Sequence, residues 1–492
     1  MNPKISLLVF SFLVFILLRE SEFVVFGAST NLTSSTNVTI GVNTTDDELN
    51  TDGDCSLREA IRAANLNHAV DQCPAGSSNS TDTISLPSGT YKLNIVGSDD
   101  DAQKGDLDLT GNVILHGVSN TKTIIDADNI GERVFDIQSN AQVFLSDMTI
   151  QGGDDSGYCG GGIRNNGSLS LEKVLFIANY SSACGGGLYN LVNANANLNL
   201  VSFGNNNAGG TGGSIYNDGN LTINNSALTF GKATYGGELF NASHATLTNV
   251  IIASATADGN GGGIYSSGEI TITNTTINNN QAFNGGGIYS SGEITITNTT
   301  INNNQAINIG SGGNGGGIYQ GSKMNLTNVT ISGNLSSNKG GGIYVYSYYD
   351  ANLLNVTVTG NSTYINNGGE IYRDTSNDRN GKIIVKNVLV GNAFPGNNCA
   401  GSPLTPLGHN LDAGHSCGFD KHDLNPQILP LANNGGATQT HALQPTSPAI
   451  NAGDNSGCPA TDQRGYLRVG GCDIGAFEYV KRIALPIILR NY

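Results

Sequence analysis

Short runs of alternating hydrophobic and polar residues return at a fixed spacing along the middle of the chain. Glu269-Ile270-Thr271-Ile272-Thr273-Asn274 alternates with period two, the mark of a half-buried strand. Thr276-Ile277 follows a bend, then a polar Asn278-Asn279-Asn280 turn. Gly261-Gly262-Gly263 leads into another short strand at Ile264-Tyr265. Three short strands separated by turns close one coil. A single coil cannot bury its own apolar face, so Ile264, Ile270, Ile272 and Ile277 must pack on the same positions above and below.

The unit recurs. A Gly-Gly-x-(Ile/Leu)-aromatic signature places its aliphatic residue at Ile163, Leu188, Ile215, Leu239, Ile264, Ile288, Ile318, Ile343 and Ile371. Residues 261–282 and 285–306 are identical, which marks a duplication of adjacent units. The aromatic is tyrosine at Tyr189, Tyr216, Tyr265, Tyr289, Tyr319, Tyr344 and Tyr372, with Phe240 once and Arg164 in the first copy. A period near 25 with strand content predicts a solenoid. No L-x-x-L-x-L pattern, helical half or six-residue period is present, which leaves an all-β, right-handed parallel β-helix with three strands per coil. At about 4.8 Å per coil, the intervals from Ile163 to Ile371 span roughly 38 Å.

The ends differ from the middle. Asp54 to Asn65 is the clearest helix, with a Ser56-x-x-Glu59 capping box and an apolar stripe of Leu57, Ile61 and Ala64. It predicts a cap over the first coil. Beyond about residue 395 the repeat fades into Pro-, Gly- and Cys-richer chain, expected to cover the other edge. The resulting organisation is 1–29 signal peptide, 30–83 N-terminal segment and capping helix, 84–395 β-helix, 396–480 loop-rich C-terminal cap and 481–492 tail. Within the tail, Ile483 to Leu489 is apolar and reads as a final strand or part of an attachment signal.

Composition agrees with a solenoid and narrows the partners. Glycine fills 67 of 492 positions, tryptophan is absent, and there are 12 prolines without a Gly-X-Y period, which excludes collagen. The net charge of −16 argues against nucleic-acid backbones and anionic lipid as partners. The acid runs Asp46 to Asp54 and Asp99 to Asp108 read as solvated loops, with structural calcium as the sharper alternative. No other cofactor is expected.

Lys4 followed by the apolar stretch Ile5 to Leu18, then Gly27-Ala28-Ser29, reads as an export signal cleaved near position 29, an uncleaved anchor being the competing reading. No other segment is apolar and long enough to span a bilayer. Eight cysteines suit an oxidising compartment. Pairing neighbours gives Cys55 with Cys73, Cys159 with Cys184, Cys399 with Cys417 and Cys458 with Cys472, one of 105 connectivities. A zinc set of His415, Cys417 and His422 competes with one of these bridges.

Candidate sites are rows. Asn225, Asn249, Asn274, Asn298, Asn328, Asn355 and Asn387 fall at the bend after the long strand, where stacked amides can bond along the axis and asparagine tolerates a left-handed backbone. Tyr265, Tyr289, Tyr319 and Tyr344 are expected to face outward, where a tyrosine ladder binds sugar rings or stacks on itself. Thr246 with Thr248, Thr271 with Thr273 and Thr295 with Thr297 form a second outward row. Glu269 and Glu293 are duplicated copies and read as a solvated row. A hydrolase needs two converging carboxylates, and a lyase needs calcium-binding carboxylates beside an Arg or Lys base. Neither set is assembled in the sequence, and Asp154-Asp155 stands alone. No catalytic residue is assigned.

Four end motifs carry a family resemblance. Cys55-Ser56-Leu57-Arg58-Glu59-Ala60 resembles the motif of the CSLREA domain. Ser447-Pro448-Ala449-Ile450-Asn451-Ala452-Gly453, Asp462-Gln463-Arg464-Gly465 and Cys472-Asp473-Ile474-Gly475-Ala476-Phe477-Glu478-Tyr479 resemble the C-terminal half of choice-of-anchor Q proteins, bacterial exported β-helix proteins. The Gly-Gly-x-Ile repeats also resemble those, pectin-lyase-like in fold, of polymorphic outer membrane proteins. The resemblance spans about residues 40–480. It implies export and a surface or extracellular location, and no known reaction. The expected role is a non-enzymatic scaffold, adhesin or glycan-binding rod, the alternative a polysaccharide lyase or hydrolase of the pectin-lyase-like class.

Overall fold

Each coil of the chain lies directly on the one before. In the computed structural model, residues 38–308, 312–365, 367–374, 376, 380–391 and 397–481 are described. The expected signal segment 1–29 and the apolar run 483–489 lie outside them. One representative coil runs through strands Ile264–Ser266, Glu269–Thr273, Thr276–Asn278 and Gln281–Ala282. The next coil pairs with it in parallel, residue for residue: Ile264 with Ile288, Ile270 with Ile294, Ile277 with Ile301 and Ala282 with Ala306. The described strands thereby form sheets of 12, 14, 13 and 9 strands, here sheets 1 to 4 in the order just given, wound as a right-handed parallel β-helix. Sheet 4 adds to the three strand positions read from the sequence. Its strands are two residues long, too short to leave a period-two signature.

Register makes the core. Ile264, Ile288 and Ile318 occupy one internal column and are fully buried. Burying one such side chain contributes about 1.5–3 kcal/mol. The glycine triplets are steric. Gly261 and Gly285 hold φ of +73° and +62°, the left-handed region, and a Cβ on Gly262 would fall on the carbonyl oxygen of Gly286 one coil away. No helix among the described residues is long and apolar enough to cross a membrane.

Polar atoms inside the stack are satisfied by asparagine ladders. At the turn after sheet 3, Asn280, Asn304, Asn334 and Asn361 are fully buried. The Asn304 side-chain amide donates to Asn334 Oδ1 (2.9 Å) and to the Ile277 carbonyl (2.9 Å), and its own Oδ1 accepts from Asn280 Nδ2 (2.9 Å). At the end of the sheet 1 strands, Asn165, Asn190, Asn217 and Asn241 form another, linked at 2.8 Å. The ladder read from the sequence lies outside the core. All seven of its asparagines adopt positive φ. Asn249 donates to Asn225 (3.1 Å) and Asn387 to Asn355 (3.2 Å).

Helix α1 (Leu57–Leu66) packs over the first coils. Ser56 and Glu59 close the expected capping box. Arg58, fully buried, pairs with Asp47 at 2.6 Å and donates to the carbonyls of Ala102, Gly105 and Asp106. The coils reach beyond both sequence boundaries. Thr39–Gly41 already pairs with Asp82–Ser85, before and after the helix, and Leu411–Asp412 still belongs to sheet 3.

The C-terminal region departs from the expected end cap. Only its first part closes the core's end, through buried Leu404, Cys417 and Phe419. The rest folds back along the outer face of sheet 3. Gln463 Nε2 donates to Thr300 (2.9 Å), Ala476 N–H to Thr357 (3.0 Å), and Leu389 and Leu411 pack with Leu443, Ala449, Ile474 and Phe477. The outer asparagines become its docking line: Asn328 donates to the Thr461 carbonyl and Asn355 to the Asp473 carbonyl.

Four disulfides join Cys55–Cys73, Cys159–Cys184, Cys399–Cys417 and Cys458–Cys472, the neighbour pairing. Cys417 is thereby unavailable to the zinc set considered above. Only Cys159–Cys184 staples two regular coils, so reduction should raise amide exchange in the helix cap and C-terminal segment before the central coils. Uniform loss of protection along the solenoid would contradict that order. Asn304→Ala leaves buried donors and acceptors unpaired and should cost about 2–4 kcal/mol, from losses of about 1–3 kcal/mol per unsatisfied group. Asn249→Gly keeps the left-handed bend and forfeits one exposed bond, costing under about 1 kcal/mol. Equal losses in chemical denaturation would remove the distinction between inner and outer ladders.

Candidate functional site

The outward residue after each inward aliphatic of sheet 1 forms one continuous column. From Tyr189 through Tyr216, Phe240, Tyr265, Tyr289, Tyr319 and Tyr344 to Tyr372 it is aromatic. The pleat turns these side chains away from the core, and the coil spacing brings the rings into contact. Centroids lie 4.6 Å apart for Phe240–Tyr265, 5.0 Å for Tyr265–Tyr289 and 4.6 Å for Tyr289–Tyr319, all stacked, and 4.8 Å for Tyr319–Tyr344. Each such pair contributes about 0.5–1.5 kcal/mol beyond burial. Neighbouring rings cover the faces that a sugar would stack on, so the column presents ring edges and hydroxyls. Tyr344 is nearly buried and donates to Asp374 (2.7 Å), beside Lys339, whose ammonium sits 4.7 Å from the Tyr372 ring centre.

Toward the N-terminus the same column turns charged: Arg164, then Asp136, then Asp108. Here the structure assembles what the sequence left scattered. Buried Arg133 contacts Asp106 (3.0 Å), Asp136 (3.3 Å) and Asp155 (2.6 Å), and Arg164 holds Asp136 from outside (2.9 Å). Asp155, which stood alone in the sequence with Asp154, belongs to this knot. Burial pushes the Asp106 carboxyl up to about 8 and that of Asp108 to about 7, with neighbouring carboxylates adding to both. Oxygens of Asp100, Asp108 and Asp136 lie within 4.8 Å of one another, a spacing that a hard cation can bridge. A second acid group, Glu48, Asp52 and Asp54, lies in the other acid run. Asp108 already accepts from the Ala102 N–H (2.8 Å) and Gln138 (3.2 Å).

The threonine row lies on the outer face of sheet 2, with Thr246, Thr271 and Thr295 in register and Thr248, Thr273 and Thr297 beside them. Asn325 and Asn352 replace the first of these columns. Glu269 is exposed, and Glu293 pairs with Lys323 at 2.7 Å. Both stay on the solvated surface.

Two acids have a different place. Glu238 and Glu370 occupy the third glycine of the Gly-Gly-x-aliphatic signature and are fully buried. Ser214 fills the slot once; beside the inner ladder the slot is glycine, since a Cβ on Gly287 would sit 3.0 Å from Asn304 Nδ2. Glu238 lies where Gly231 and Ala255 leave a gap at that corner between Asn206, which bonds to Asn179, and Asn280. Its carboxyl accepts from the Gly231 N–H (2.6 Å) and Ser214 (2.5 Å). Glu370 ends the ladder, accepting from the Asn361 amide (2.5 Å). Burial pushes both up to about 8, so both are protonated at neutral pH. A charged residue in a glycine slot next to an inward aliphatic was the available signal.

No family model matches the chain, and no curated protein matches it. Three chains among solved structures do. One, titled "Crystal structure of pectate lyase Pel9A", is 14% identical, with 90% of this chain and 98% of that chain covered and a TM-score of 0.33. That likeness concerns the fold alone.

Glu238 also gives a pH signature. The folded chain retains a proton up to about pH 8 that the unfolded chain releases near pH 4.5. Its contribution to stability is therefore complete below pH 4.5, declines as pH rises, and is lost by about pH 8. Glu238→Gln removes that decline. The melting temperature of the variant minus that of the wild type should rise across this window and level off above it. A difference independent of pH would refute the protonated state.

Proposed function

We propose that this chain is an exported, non-enzymatic β-helical rod of the cell surface or extracellular space, binding an extended glycan along its length as a scaffold or adhesin. The observation that carries the reading is the aromatic column: side chains repeated at coil spacing, in register, on one outward line. Such a row suits a polymer that repeats along the same axis. Export is supported by the leader-like first 29 residues and by eight cysteines all engaged in disulfides. The CSLREA and choice-of-anchor resemblance points the same way.

A polysaccharide lyase or hydrolase is the second reading, favoured by one observation, the convergence of Asp100, Asp108 and Asp136 beside Arg164. The rod is the better account. A lyase base must meet its substrate, whereas here Asp108 and Asp136 are buried and Arg164 is engaged with Asp136.

Incubating the purified chain, with calcium, on pectins, alginates and a neutral glycan panel separates the two. Retention without new unsaturated or reducing ends is expected, and appearance of either end would establish the enzyme. Because ring faces are taken, binding must use edges and hydroxyls. The double change Tyr265→Phe and Tyr289→Phe preserves stacking and should weaken retention at least about fivefold, from about 0.5–1.5 kcal/mol per hydrogen bond. Unchanged retention in the double variant would move the binding surface off this column.

A further inference from the structure

Where the solenoid ends, two histidines and an aspartate converge on one point. His415 Nδ1 lies 2.9 Å from His422 Nδ1 and 2.9 Å from Asp423 Oδ2, and His422 Nδ1 lies 2.8 Å from the same oxygen. We propose that His415, His422 and Asp423 form a binding site for a borderline divalent transition metal of the Zn2+ type, independent of the aromatic column.

Hydrogen bonds cannot close this triangle. A carboxylate oxygen brings no proton, and each imidazole has at most one on Nδ1. If both protons point to Asp423, two N–H groups confront each other across 2.9 Å. If one is absent, an edge to Asp423 sets a nitrogen lone pair against a carboxylate oxygen. One cation satisfies all three atoms at once. With metal–ligand distances of about 2.0–2.1 Å, tetrahedral ligands sit about 3.3 Å apart. The three atoms need to spread by only about 0.4 Å, within reach of small side-chain rotations. Two imidazoles and a carboxylate suit Zn2+, Cu2+ or Ni2+ better than Ca2+ or Mg2+, which prefer oxygen alone.

The scaffold is built before any ion arrives. The Asp423 N–H donates to the Gly414 carbonyl (2.8 Å) and the Asp412 N–H to the Lys421 carbonyl (2.8 Å), which locks the two ligand-bearing segments together. Between them, Cys417 is bonded to Cys399. The sequence placed a zinc alternative on His415, Cys417 and His422. The disulfide removes the sulfur, and Asp423, next to His422 in the chain, takes its place. All three side chains are exposed, so an ion enters from solvent and a fourth position remains for water or a donor from a partner.

The test uses the full chain, stripped with chelator and re-equilibrated with Zn2+ alone. One equivalent is expected, read by metal analysis after gel filtration and by competition with a chromophoric chelator. His415→Ala and Asp423→Asn should each lower affinity at least tenfold. Co2+ in place of Zn2+ should give visible absorption bands of a low-coordinate site in the wild type alone. The other histidines are unchanged in these variants, so background binding cancels. Circular dichroism checks that the fold persists. Equal Zn2+ uptake by wild type and the His415→Ala/His422→Ala double variant would overturn the site, as would no uptake by either.

Discussion

A polar atom inside a stacked coil can be satisfied only by its own turn or by the coil above or below. This constraint governs the molecule. Strand pairing disposes of the backbone within the sheets, but each turn leaves carbonyl and N–H groups facing inward where water cannot reach. Asparagine solves this because its side chain carries a donor and an acceptor at opposite sides. One coil's amide donates to the next coil's oxygen while its own oxygen receives from the coil behind. Asn280, Asn304, Asn334 and Asn361 do this at one corner and Asn165, Asn190, Asn217 and Asn241 at another. The amide is self-complementary along an axis, so the same residue can recur without limit. A residue with only a donor or only an acceptor could not.

The constraint explains the departures as well. A ladder must end somewhere, and its last amide then faces nothing equivalent. Glu370 stands at that end and Glu238 at the internal gap made by Gly231 and Ala255, both reaching in from a slot that is glycine in the other copies except for Ser214. An ionised carboxylate there would be costly to desolvate, and burial holds both in the neutral form, in which the group again has a donor and an acceptor. The outer row faces a milder version of the problem. Upstream, Asn225 and Asn249 have water. Downstream, Asn328, Asn355 and Asn387 lie under the C-terminal segment, whose carbonyls accept from the amides.

Legibility in the sequence followed how strongly each feature repeats. The inward aliphatics, the glycine triplets and the bend asparagines recur once per coil, so period and register could be read from Ile264, Ile288 and Ile318 alone. The helix was legible through its capping box, a purely local device. The inner ladders were harder, because Asn280 sits within Asn278-Asn279-Asn280 and nothing local says which of three asparagines points inward. Sheet 4 was hidden by strands of two residues. The lateral course of the C-terminal segment was hidden for another reason: it depends on contacts such as Gln463 with Thr300, more than 160 residues apart and with no period to announce them.

Repetition and chemistry pull in opposite directions here. A row of identical side chains cannot assemble the unlike groups that acid–base catalysis needs, because each coil offers the same residue at the same height. Chemical variety therefore gathers where the period breaks: at the Asp108–Asp136–Arg164 start of the column, at Lys339 and Asp374 beside its far end, and at the non-repeating turn that holds His415, His422 and Asp423. In the first of these, Asp136 is buried between Arg133 and Arg164, and buried Asp108 accepts from the Ala102 N–H and Gln138. In the last, the side chains are exposed and the hydrogen bonds cannot all be made. A network that is complete within itself holds the coils together, whereas one left incomplete at the surface is ready for a ligand. By that criterion the regular coils supply the rod, and the irregular turn at its end supplies the place where something else attaches.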